Sequence, residues 1–374
     1  DTCVFWSTGS GKTMCFWAVA LITQKIVIVV SPLVALMKDH VQKFNEKAEL
    51  TGATCRACFL GSGHEDEEER FRVEEAALTG KYSLVYVTPE KLIGSDMLYD
   101  LRGLYDQKKI GLLAIDEAHC ILDWGCEFRP EYRDLGWFRD EFPNVPIMAL
   151  TSLGTAAVQD CVQSSLRLQS PKVSRGPCFR DNLHLKRSLA TNLRADVARI
   201  AEQIHDASGR TLIYVRKRDE VDQVREFLEE MLPTLDSDGV GGVKVGSYHA
   251  RIALRKRDLS HEEFSSMGGG RVMVATVAYG MGVHFPDVRR VYHLGSPWTV
   301  EDYWQQIGRA GRDGNPALCE IMSDPSDFYA KAAFTQRQDS EDWEERSKRQ
   351  MRNILHGCGC RWAELRRYLG EDPP

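Results

Sequence analysis

The sequence predicts an α/β protein with two parallel sheets, each covered by helices on both faces. Short runs of β-branched and aliphatic residues alternate with segments of helical character, which is the pattern of strands buried between helices. The chain has 374 residues, more than one hydrophobic core usually organises. The alternation restarts after a polar stretch at 170–176 that contains proline and glycine. We therefore predict a first domain at 1–172, a second at 173–325 and a helical segment at 326–374, with 170–176 as the hinge.

Composition and charge narrow the classes of function. With 43% hydrophobic and 27% charged residues, the chain has the composition of a globular protein, and no apolar run is long enough to span a membrane. The net charge of −6 excludes a general basic coat for nucleic acid, so any polyanion must bind in a local groove. The 11 cysteines are scattered, which favours a reducing compartment over a secreted disulfide scaffold.

The start of the chain bears on where the protein acts. No signal peptide is visible, so we expect an intracellular protein, nuclear if the source is eukaryotic and otherwise cytoplasmic. The sequence begins with Asp1 immediately before the first predicted strand, and we expect it to be a fragment that can lack a targeting segment. The sequence does not set the oligomeric state.

Successive apolar runs define the strands in chain order. The first, at 3–6, precedes a segment at 14–21 that can form a helix. The run Ile26–Val30 is entirely β-branched, which is typical of a fully buried strand. An acidic run at 65–69 predicts the solvated start of a helix, and residues 235–242 predict a loop. Further strands are predicted at 84–87, 112–115, 146–151 and 211–215.

The sequence Thr-Gly-Ser-Gly-Lys-Thr at 8–13 predicts a phosphate-binding loop. Its glycines allow backbone N–H groups to approach phosphate, and the following helix adds positive potential at its N-terminus. Lys12 would reach the outer phosphates, and the Thr13 hydroxyl would ligate Mg²⁺. The general pattern has its first glycine at the position of Trp6, so an accidental glycine-rich turn is the alternative. The residues predicted to bind nucleotide here are Thr8, Gly9, Ser10, Gly11, Lys12 and Thr13.

Two carboxylates, Asp116 and Glu117, follow the predicted strand at 112–115. Open parallel sheets bind ligands outside the carboxyl ends of their strands, so these acids are placed for chemistry. Asp116 is suited to hold Mg²⁺ on the phosphates of a nucleotide, and Glu117 to orient or deprotonate the attacking water. The alternative is that both acids only cap the next helix. Their combination with the loop at 8–13 favours a nucleotide hydrolase over that alternative.

An aromatic segment follows at 120–132. Its rings offer π-faces on which bases can stack, and its arginine can bind a phosphate or stack in turn. Packing of the rings in the core is the alternative. The residues of this segment predicted to contact nucleic acid are Trp124, Phe128, Arg129 and Tyr132.

These motifs together resemble the RecQ helicases of superfamily 2. The tetrad Asp-Glu-Ala-His at 116–119 resembles motif II of that superfamily, and the segment at 120–132 is similar to the aromatic-rich loop of RecQ helicases. The resemblance implies two tandem RecA-like domains with ATP in a cleft between them. It also implies that His119 couples ATP hydrolysis to DNA. The loop departs from the family pattern at Leu122, Asp123, Cys126 and Glu127.

The function implied by the resemblance is that of an ATP-dependent DNA helicase in DNA repair or recombination. Closure on ATP and opening after hydrolysis would move the domains along single-stranded DNA in the 3′-to-5′ direction. ATP and Mg²⁺ are the expected cofactors, and single-stranded and partly duplex DNA are the expected partners. Two alternatives stay open, an RNA helicase with the same tetrad and a DNA-binding relic without activity. Departures from the family pattern at Trp6, Leu153 and His284 suggest the relic.

Further motifs of the family occur in the same order along the chain. The residues after the strand at 26–30 resemble motif Ia, which contacts the DNA backbone, although a plain strand-to-helix turn is the alternative. A Thr-Pro-Glu turn follows the strand at 84–87, and the second domain resembles motif IV, a Tyr-His-Ala turn and motif V. The resemblance implies DNA contacts for Ser31, Pro32, Thr88, Arg218, His249 and Thr276, and nucleotide contact for Gly282.

Residues 303–314 resemble motif VI, in which a guanidinium stabilises charge on the transferring phosphoryl group. Arg309 and Arg312 are three apart, so we expect them on one side of a helix. An ordinary pair of surface charges is the alternative. Gln306 stands where the family usually has glutamate. The predicted catalytic residues are Lys12, Glu117, Gln305, Arg309 and Arg312, and the predicted Mg²⁺ ligands are Thr13 and Asp116.

The end of the chain resembles the helix that carries the first zinc cysteine of the RecQ C-terminal subdomain, with Cys360 at that place. The other three cysteines of that site would follow Pro374. One thiolate does not make a four-coordinate zinc site. We therefore interpret 326–374 as the start of that subdomain and expect Mg²⁺ but no zinc in this chain.

Overall fold

The computed structural model describes residues 1–61, 66–123, 131–204, 208–232, 242–266, 270–277, 279, 285–324, 341–357 and 359–371. The chain forms two compact units, Asp1–Cys178 (unit 1) and Phe179–Pro374 (unit 2). The strand pairs described in both units are parallel. The predicted fold class, an α/β protein with two parallel sheets, is confirmed.

Unit 1 is a seven-stranded parallel sheet with helices between its strands. The strands are β1 (Thr2–Phe5), β2 (Ile26–Val30), β3 (Ala57–Leu60), β4 (Leu84–Val87), β5 (Ile110–Ile115), β6 (Ile147–Thr151) and β7 (Lys172–Arg175). Their order across the sheet is β3-β4-β2-β5-β6-β1-β7. The helices are α1 (Lys12–Thr23), α2 (Val34–Thr51), α3 (Glu67–Leu78), α4 (Pro89–Ile93), α5 (Ser95–Asp106), α6 (Cys120–Asp123), α7 (Glu131–Asp134), α8 (Trp137–Glu141) and α9 (Ala156–Ser165).

Burial explains why the apolar runs of unit 1 form its central strands. All five residues of β2 are buried, as expected for a strand covered on both faces. Phe16 of α1 and Met37 of α2 pack with Val27 and Val29 in the core. The acidic run starts helix α3, where the Asp66 carboxylate accepts a hydrogen bond from the N–H of Glu69. The predicted strands and helix start therefore follow from local patterns.

The stretch predicted as a hinge contains a strand. Residues of β7 are largely exposed and polar, yet they pair in parallel with β1 at the edge of the sheet. Unit 1 therefore extends to Cys178, beyond residue 172 where the sequence placed the boundary. An edge strand of polar residues lacks the apolar pattern of a buried strand, which is why composition suggested a loop.

Unit 2 is a six-stranded parallel sheet built in the same way. The strands are β8 (Leu183–Leu189), β9 (Arg210–Val215), β10 (Val243–Tyr248), β11 (Gly270–Ala275), β12 (Val288–Leu294) and β13 (Ala317–Ser323). Their order is β10-β11-β9-β12-β13-β8. The loop predicted at 235–242 falls, up to residue 241, outside the described residues. The helices are α10 (Leu193–Ile204), α11 (Arg218–Met231), α12 (Leu254–Ser265), α13 (Val300–Ile307), α14 (Glu341–His356) and α15 (Arg361–Tyr368).

The described residues of the C-terminal segment form α14 and α15, which belong to unit 2. The buried carboxylate of Glu301 in α13 accepts hydrogen bonds from Ser347 of α14 and from the Tyr368 hydroxyl of α15, the latter at 2.6 Å. The Val300 N–H donates to Ser347 Oγ at 2.9 Å. Burial raises the pKa of Glu301. These contacts fix the start of α13 against the last two helices.

A buried ion pair closes the amino end of the sheet in unit 1. Arg139 Nη2 donates to both carboxylate oxygens of Asp1 at 2.7 Å, and the two side chains are 7% and 4% exposed. The N–H groups of Ile147 and Gln169 donate to the same carboxylate. The pair therefore joins α8 to the starts of β1 and β6.

We predict that Arg139→Met destabilises unit 1 by about 3–5 kcal/mol, because it leaves the Asp1 carboxylate buried without its counter-ion. The free energy of unfolding would be measured by urea denaturation. Arg102→Met is the matched control, since Arg102 is 55% exposed and pairs with Glu141 at the surface, where such pairs contribute at most about 1 kcal/mol. Equal small losses in both variants would contradict the prediction.

Candidate active site

The loop at 8–13 connects β1 to α1 at the carboxyl end of the sheet of unit 1. Gly9 and Gly11 have φ angles of 88° and 83°, a left-handed conformation that side chains with a Cβ rarely adopt. Lys12, the first residue of α1, donates from Nζ to the carbonyls of Trp6 at 3.0 Å and Ser7 at 3.3 Å. Thr13 lies in the first turn of the helix and is half-buried. The two glycines with positive φ and the lysine at the helix N-terminus suit the phosphate-binding loop that the sequence predicts, and the binding of phosphate stays a prediction.

Trp6 explains why the loop tolerates the loss of the first glycine. Its indole Nε1 donates to Ser174 Oγ of β7 at 3.0 Å. A Cβ added to Gly176 would lie 3.1 Å from the ring, so the indole packs closely on that glycine. Trp6 is not among the described residues with positive φ, and the backbone there does not require glycine. Trp6, although it departs from the family pattern, therefore ties the loop to the edge strand β7 without distorting the loop backbone.

The two acids lie on the turn that follows β5, and this turn is hydrogen-bonded to the two strands beside β5. The Asp116 N–H donates to the carbonyl of Val30 in β2, and the Ala118 N–H to the carbonyl of Leu150 in β6, both at 2.9 Å. Glu117 between them has a φ of 49°, which costs energy for a residue with a Cβ and is typical of functional sites. The turn thus holds Glu117 in a strained conformation at the end of β5.

Electrostatics make Asp116 a candidate cation ligand. Its side chain is buried, and this burial together with the charge of Glu117 raises the pKa of Asp116 to about 7, against the opposing effect of Lys12. Two adjacent carboxylates are favoured in their ionised form only near positive charge. Mg²⁺ prefers hard oxygen ligands, so Asp116 with the Thr13 hydroxyl fits a magnesium ion held beside phosphate.

His119 links the acids to the end of β6. Its Nδ1 shares a hydrogen bond of 2.8 Å with Thr151 Oγ1 and lies 3.4 Å from Glu117 Oε2. Burial lowers the pKa of His119, so the ring is neutral near pH 7. Thr151 Oγ1 also accepts a hydrogen bond from the Leu153 N–H at 3.0 Å. The backbone of Leu153, rather than a hydroxyl at that position, completes this contact.

Thr151 is a site residue that the sequence analysis did not assign. It ends β6, which lies between the strands that carry the phosphate loop and the acids. The sequence feature that could have identified Thr151 is a hydroxyl at the carboxyl end of the predicted strand at 146–151. Its significance depends on the hydrogen bond to His119, 32 residues away in the chain, which the sequence does not reveal.

The predicted nucleic-acid residues of unit 1 fall into three groups. Trp124, Phe128 and Arg129 lie outside the described residues. Tyr132 is fully buried and donates to the Asp116 carbonyl at 3.3 Å, so its assignment as an exposed base-stacking ring is wrong. Ser31 and Pro32 are also buried, because they leave a central strand under the start of α2. Thr88 is half-buried and caps α4 by accepting from the N–H of Lys91.

The predicted DNA residues of unit 2 follow adjacent strands but differ in exposure. Arg218 is exposed at the start of α11. His249 is 6% exposed, accepts at Nδ1 from the N–H of Arg251 at 3.2 Å and lies 3.6 Å from Asp222. Thr276 is 9% exposed. The side chains of His249 and Thr276 are therefore largely withdrawn from the surface. Gly282 and His284 lie outside the described residues.

The prediction that Arg309 and Arg312 lie on a helix is wrong. Helix α13 ends at Ile307, and residues 308–313 form consecutive turns. The Gly311 N–H donates to the carbonyl of Val288, at 2.8 Å, instead of continuing the helix. Arg309 and Arg312 are both half-buried, and Arg312 Nε donates to the Gly308 carbonyl at 3.2 Å. We call residues 308–315 the arginine turn. Gln305 lies half-buried on the last turn of α13.

Gln306 has a partner that accounts for the loss of the usual glutamate. Its Oε1 lies 2.8 Å from His293 Nε2 of β12. Burial lowers the pKa of His293 to about 4, so this histidine is neutral. A neutral amide is the matching partner for a neutral imidazole in a buried position, because neither brings an uncompensated charge.

The described part of the chain has neither a cluster of metal-binding side chains nor a membrane-spanning helix. No group of three or more His, Cys, Asp or Glu side chains there is arranged to hold a metal ion. Cys360 is exposed at the start of α15. Among the same residues, no helix combines the length and the apolar character needed to cross a bilayer.

The geometry agrees with what comparison with known proteins shows. Residues 1–160 match the family of DEAD/DEAH box helicases, and residues 195–314 match the helicase conserved C-terminal domain. The ATP-dependent DNA helicase RecQ of Pasteurella multocida is 34% identical over 328 residues, which cover 88% of this chain and 48% of that protein. A protein of Acanthamoeba polyphaga mimivirus, named provisionally as the ATP-dependent RNA helicase R290, is 31% identical over 377 residues, 100% of this chain and 64% of its own.

Solved structures show the same fold. The crystal structure of the DUF1998 helicase MrfA bound to DNA superposes with a TM-score of 0.68 at 19% identity, covering 88% of this chain and 48% of that one. At this identity the likeness concerns the fold alone. The chain spans between 48% and 64% of the two relatives in sequence, so it corresponds to the core of longer proteins.

We predict that Mg²⁺ binding beside the nucleotide strengthens with pH through the pKa of Asp116. The carboxyl group must ionise to hold the cation. With a pKa of about 7, roughly a tenth of the molecules are ionised at pH 6 and roughly nine tenths at pH 8. The apparent Mg²⁺ affinity of the ADP complex should therefore rise about tenfold between these values, measured by calorimetric titration.

Asp116→Asn is the control for this measurement, because it keeps the shape of the side chain but cannot ionise. Any pH dependence of Mg²⁺ affinity that remains in this variant comes from protonation of the nucleotide. The wild-type rise should exceed that of the variant. Identical pH dependence in both proteins would show that Asp116 does not hold the cation.

Proposed function

The chain belongs to the RecQ family of superfamily 2 helicases, and from this premise we propose that it hydrolyses ATP to move along single-stranded DNA and to separate duplex DNA. The two parallel sheets are then its tandem RecA-like units. The observation that carries the proposal is the convergence of the phosphate loop, Asp116, Glu117 and His119 at the carboxyl end of one sheet.

The proposed chemistry assigns each residue a role consistent with its surroundings. The N–H groups of the loop at 8–13 bind phosphate, and Lys12 leaves the carbonyls of Trp6 and Ser7 to contact the outer phosphates. Bound Mg²⁺ would neutralise phosphate charge, held by Thr13 and Asp116. Glu117 orients the attacking water and accepts its proton. Gln305, Arg309 and Arg312 of unit 2 assist by stabilising the charge of the transferring group.

His119 is proposed to couple this chemistry to DNA. Because it is neutral and contacts both Glu117 and Thr151, a shift at the end of β6 changes the position of the catalytic carboxylate. The residues after β6 would report bound DNA to Glu117 by this path. His119 therefore links two strand ends without altering the charge beside the nucleotide.

The nature of the nucleic acid is the point on which relatives differ. RecQ of Pasteurella multocida is named a DNA helicase, and the mimiviral relative is named an RNA helicase. We propose DNA, since the RecQ relatives from Haemophilus influenzae and Bacillus subtilis are also named DNA helicases. RNA stays the second candidate, and a direct comparison of the two polymers decides between them.

We predict that Lys12→Ala and Glu117→Gln both abolish DNA-stimulated ATP hydrolysis but differ in nucleotide binding. Lys12→Ala removes a phosphate contact, so both ADP affinity and turnover should fall. Glu117→Gln removes only the base, so turnover should fall about 100-fold or more while ADP affinity stays within twofold. Steady-state ATPase assays and titration with fluorescent ADP measure these quantities.

The control for these variants is Lys25→Ala, an exposed lysine immediately before β2, at the opposite end of the sheet. It should behave as the wild type in both assays. A wild-type chain without nucleic-acid-stimulated ATPase would refute the enzymatic proposal and favour the DNA-binding relic.

We further predict that the chain unwinds a partial duplex with a 3′ single-stranded DNA tail and fails on the same duplex with a 5′ tail. We propose this polarity because the resemblance of the motifs to those of RecQ helicases implies movement in the 3′-to-5′ direction. Strand separation would be followed by fluorescence dequenching, with Lys12→Ala as the inactive control. Stimulation by RNA but not DNA would establish the second candidate, and unwinding from the 5′ tail would overturn the proposed direction.

A further inference from the structure

The first residues of unit 2 are hydrogen-bonded to the arginine turn. We call residues 179–182 the connecting segment. Arg180 Nη2 donates to the Gly311 carbonyl at 2.5 Å, and Asn182 Nδ2 donates to the same oxygen at 2.8 Å. Asn182 Nδ2 also donates to the Asn315 carbonyl at 2.9 Å. One carbonyl in the middle of the turn therefore receives two side-chain donors from a segment about 130 residues away.

The conformation of Gly311 is matched to these donors. Its φ is 52°, and an added Cβ would lie 2.5 Å from Asn182 Nδ2 and 2.7 Å from the Asn315 carbonyl. The Gly311 N–H is held by the carbonyl of Val288. The peptides before and after Gly311 are thus both held by hydrogen bonds, and only glycine fits there without displacing Asn182.

The backbone fixes the connecting segment as firmly as its side chains. The Ala317 N–H donates to the Asn182 carbonyl at 2.8 Å, directly before β8 pairs with β13. Arg180 is half-buried, and burial lowers the pKa of its guanidinium. A partly buried donor contributes more than an exposed one, because water competes less for the carbonyl.

The connecting segment is also where the chain passes from one unit to the other. Unit 1 ends at Cys178 and unit 2 begins at Phe179, so Arg180 lies two residues after the boundary. We propose that Arg180 and Asn182 are positioning residues for Arg312, which they hold through the Gly311 carbonyl. The inference rests on the proposed ATPase function.

The competing explanation is that both side chains only stabilise unit 2. Other contacts of the arginine turn have such a structural role. Arg289 forms an ion pair with Asp313 and donates to the Asn315 carbonyl at 3.3 Å. A purely structural role would lower the unfolding temperature and leave the turnover of folded protein unchanged. A positioning role would lower turnover and leave nucleotide binding by unit 1 intact.

The test uses Asn182→Asp, which keeps the size of the side chain but replaces its donor by an acceptor that repels both carbonyls. Arg180→Lys is a milder second variant that keeps the charge. We expect kcat of the DNA-stimulated ATPase to fall about ten- to a hundred-fold in Asn182→Asp, since small displacements of a catalytic group have effects of this size. KM for ATP and affinity for ADP should stay within twofold.

A double-mutant cycle shows whether the effect passes through the arginine. In an Arg312→Ala background, Asn182→Asp should lower kcat by less than about threefold, because the group that it positions is absent. Asn144→Asp is the matched control, since this exposed amide donates to the Tyr105 hydroxyl in unit 1. It should leave kcat unchanged.

The outcomes separate the two proposals. A wild-type chain without ATPase activity overturns the proposed function, and the inference fails with it. An active wild type whose kcat is unchanged in folded Asn182→Asp and Arg180→Lys overturns the inference alone. Full additivity with Arg312→Ala also overturns it, because the two side chains would then act independently. If Asn182→Asp does not fold, Arg180→Lys carries the same cycle.

Discussion

The buried carboxylate of Asp116 is the constraint on which the site in unit 1 depends. It lies at the end of β5 beside a second carboxylate, and burial disfavours its ionised form. Such a pair is stable only where positive charge is close, and Lys12 supplies part of that charge. Because β6 lies between β1 and β5, the order of the strands brings the lysine and the acids to one edge. The two adjacent carboxylates repel each other, and a bound magnesium ion would relieve this repulsion. The same pair of acids therefore suits the site to magnesium beside phosphate.

The surroundings of this pair keep Glu117 basic. His119 lies 3.4 Å from its carboxylate, and a protonated imidazole there would neutralise it. Burial prevents this by lowering the pKa of His119, while Thr151 provides a hydrogen bond that does not require a charge. The strained φ of Glu117 is maintained because the backbone on both sides is fixed to β2 and β6. Orientation and basicity therefore have separate structural causes.

The parts of the site carried by consecutive residues could be predicted from sequence, whereas those that depend on distant packing could not. The glycines of the phosphate loop and the acids after β5 are local patterns with local reasons. Tyr132 was misjudged because nothing near it shows that its hydroxyl reaches the Asp116 carbonyl. The sequence suggests a hinge for the polar strand β7, because β1, with which it pairs, comes about 170 residues earlier in the chain. The turn after α13 depends on Val288 of β12, whose carbonyl accepts a hydrogen bond from the Gly311 N–H.

Unit 2 holds the helix before its arginine turn by neutral or hydrogen-bonded groups. At the start of α13 the buried Glu301 is satisfied by Ser347 and Tyr368, and near its end Gln306 is paired with a neutral His293. Both sets of contacts come from within unit 2. The turn that follows the helix is held differently, because the Gly311 carbonyl accepts hydrogen bonds from Arg180 and Asn182 of the connecting segment. A substitution in the connecting segment would therefore act on the arginine turn through that carbonyl, whereas the side-chain hydrogen bonds of Glu301 and Gln306 in α13 do not involve it.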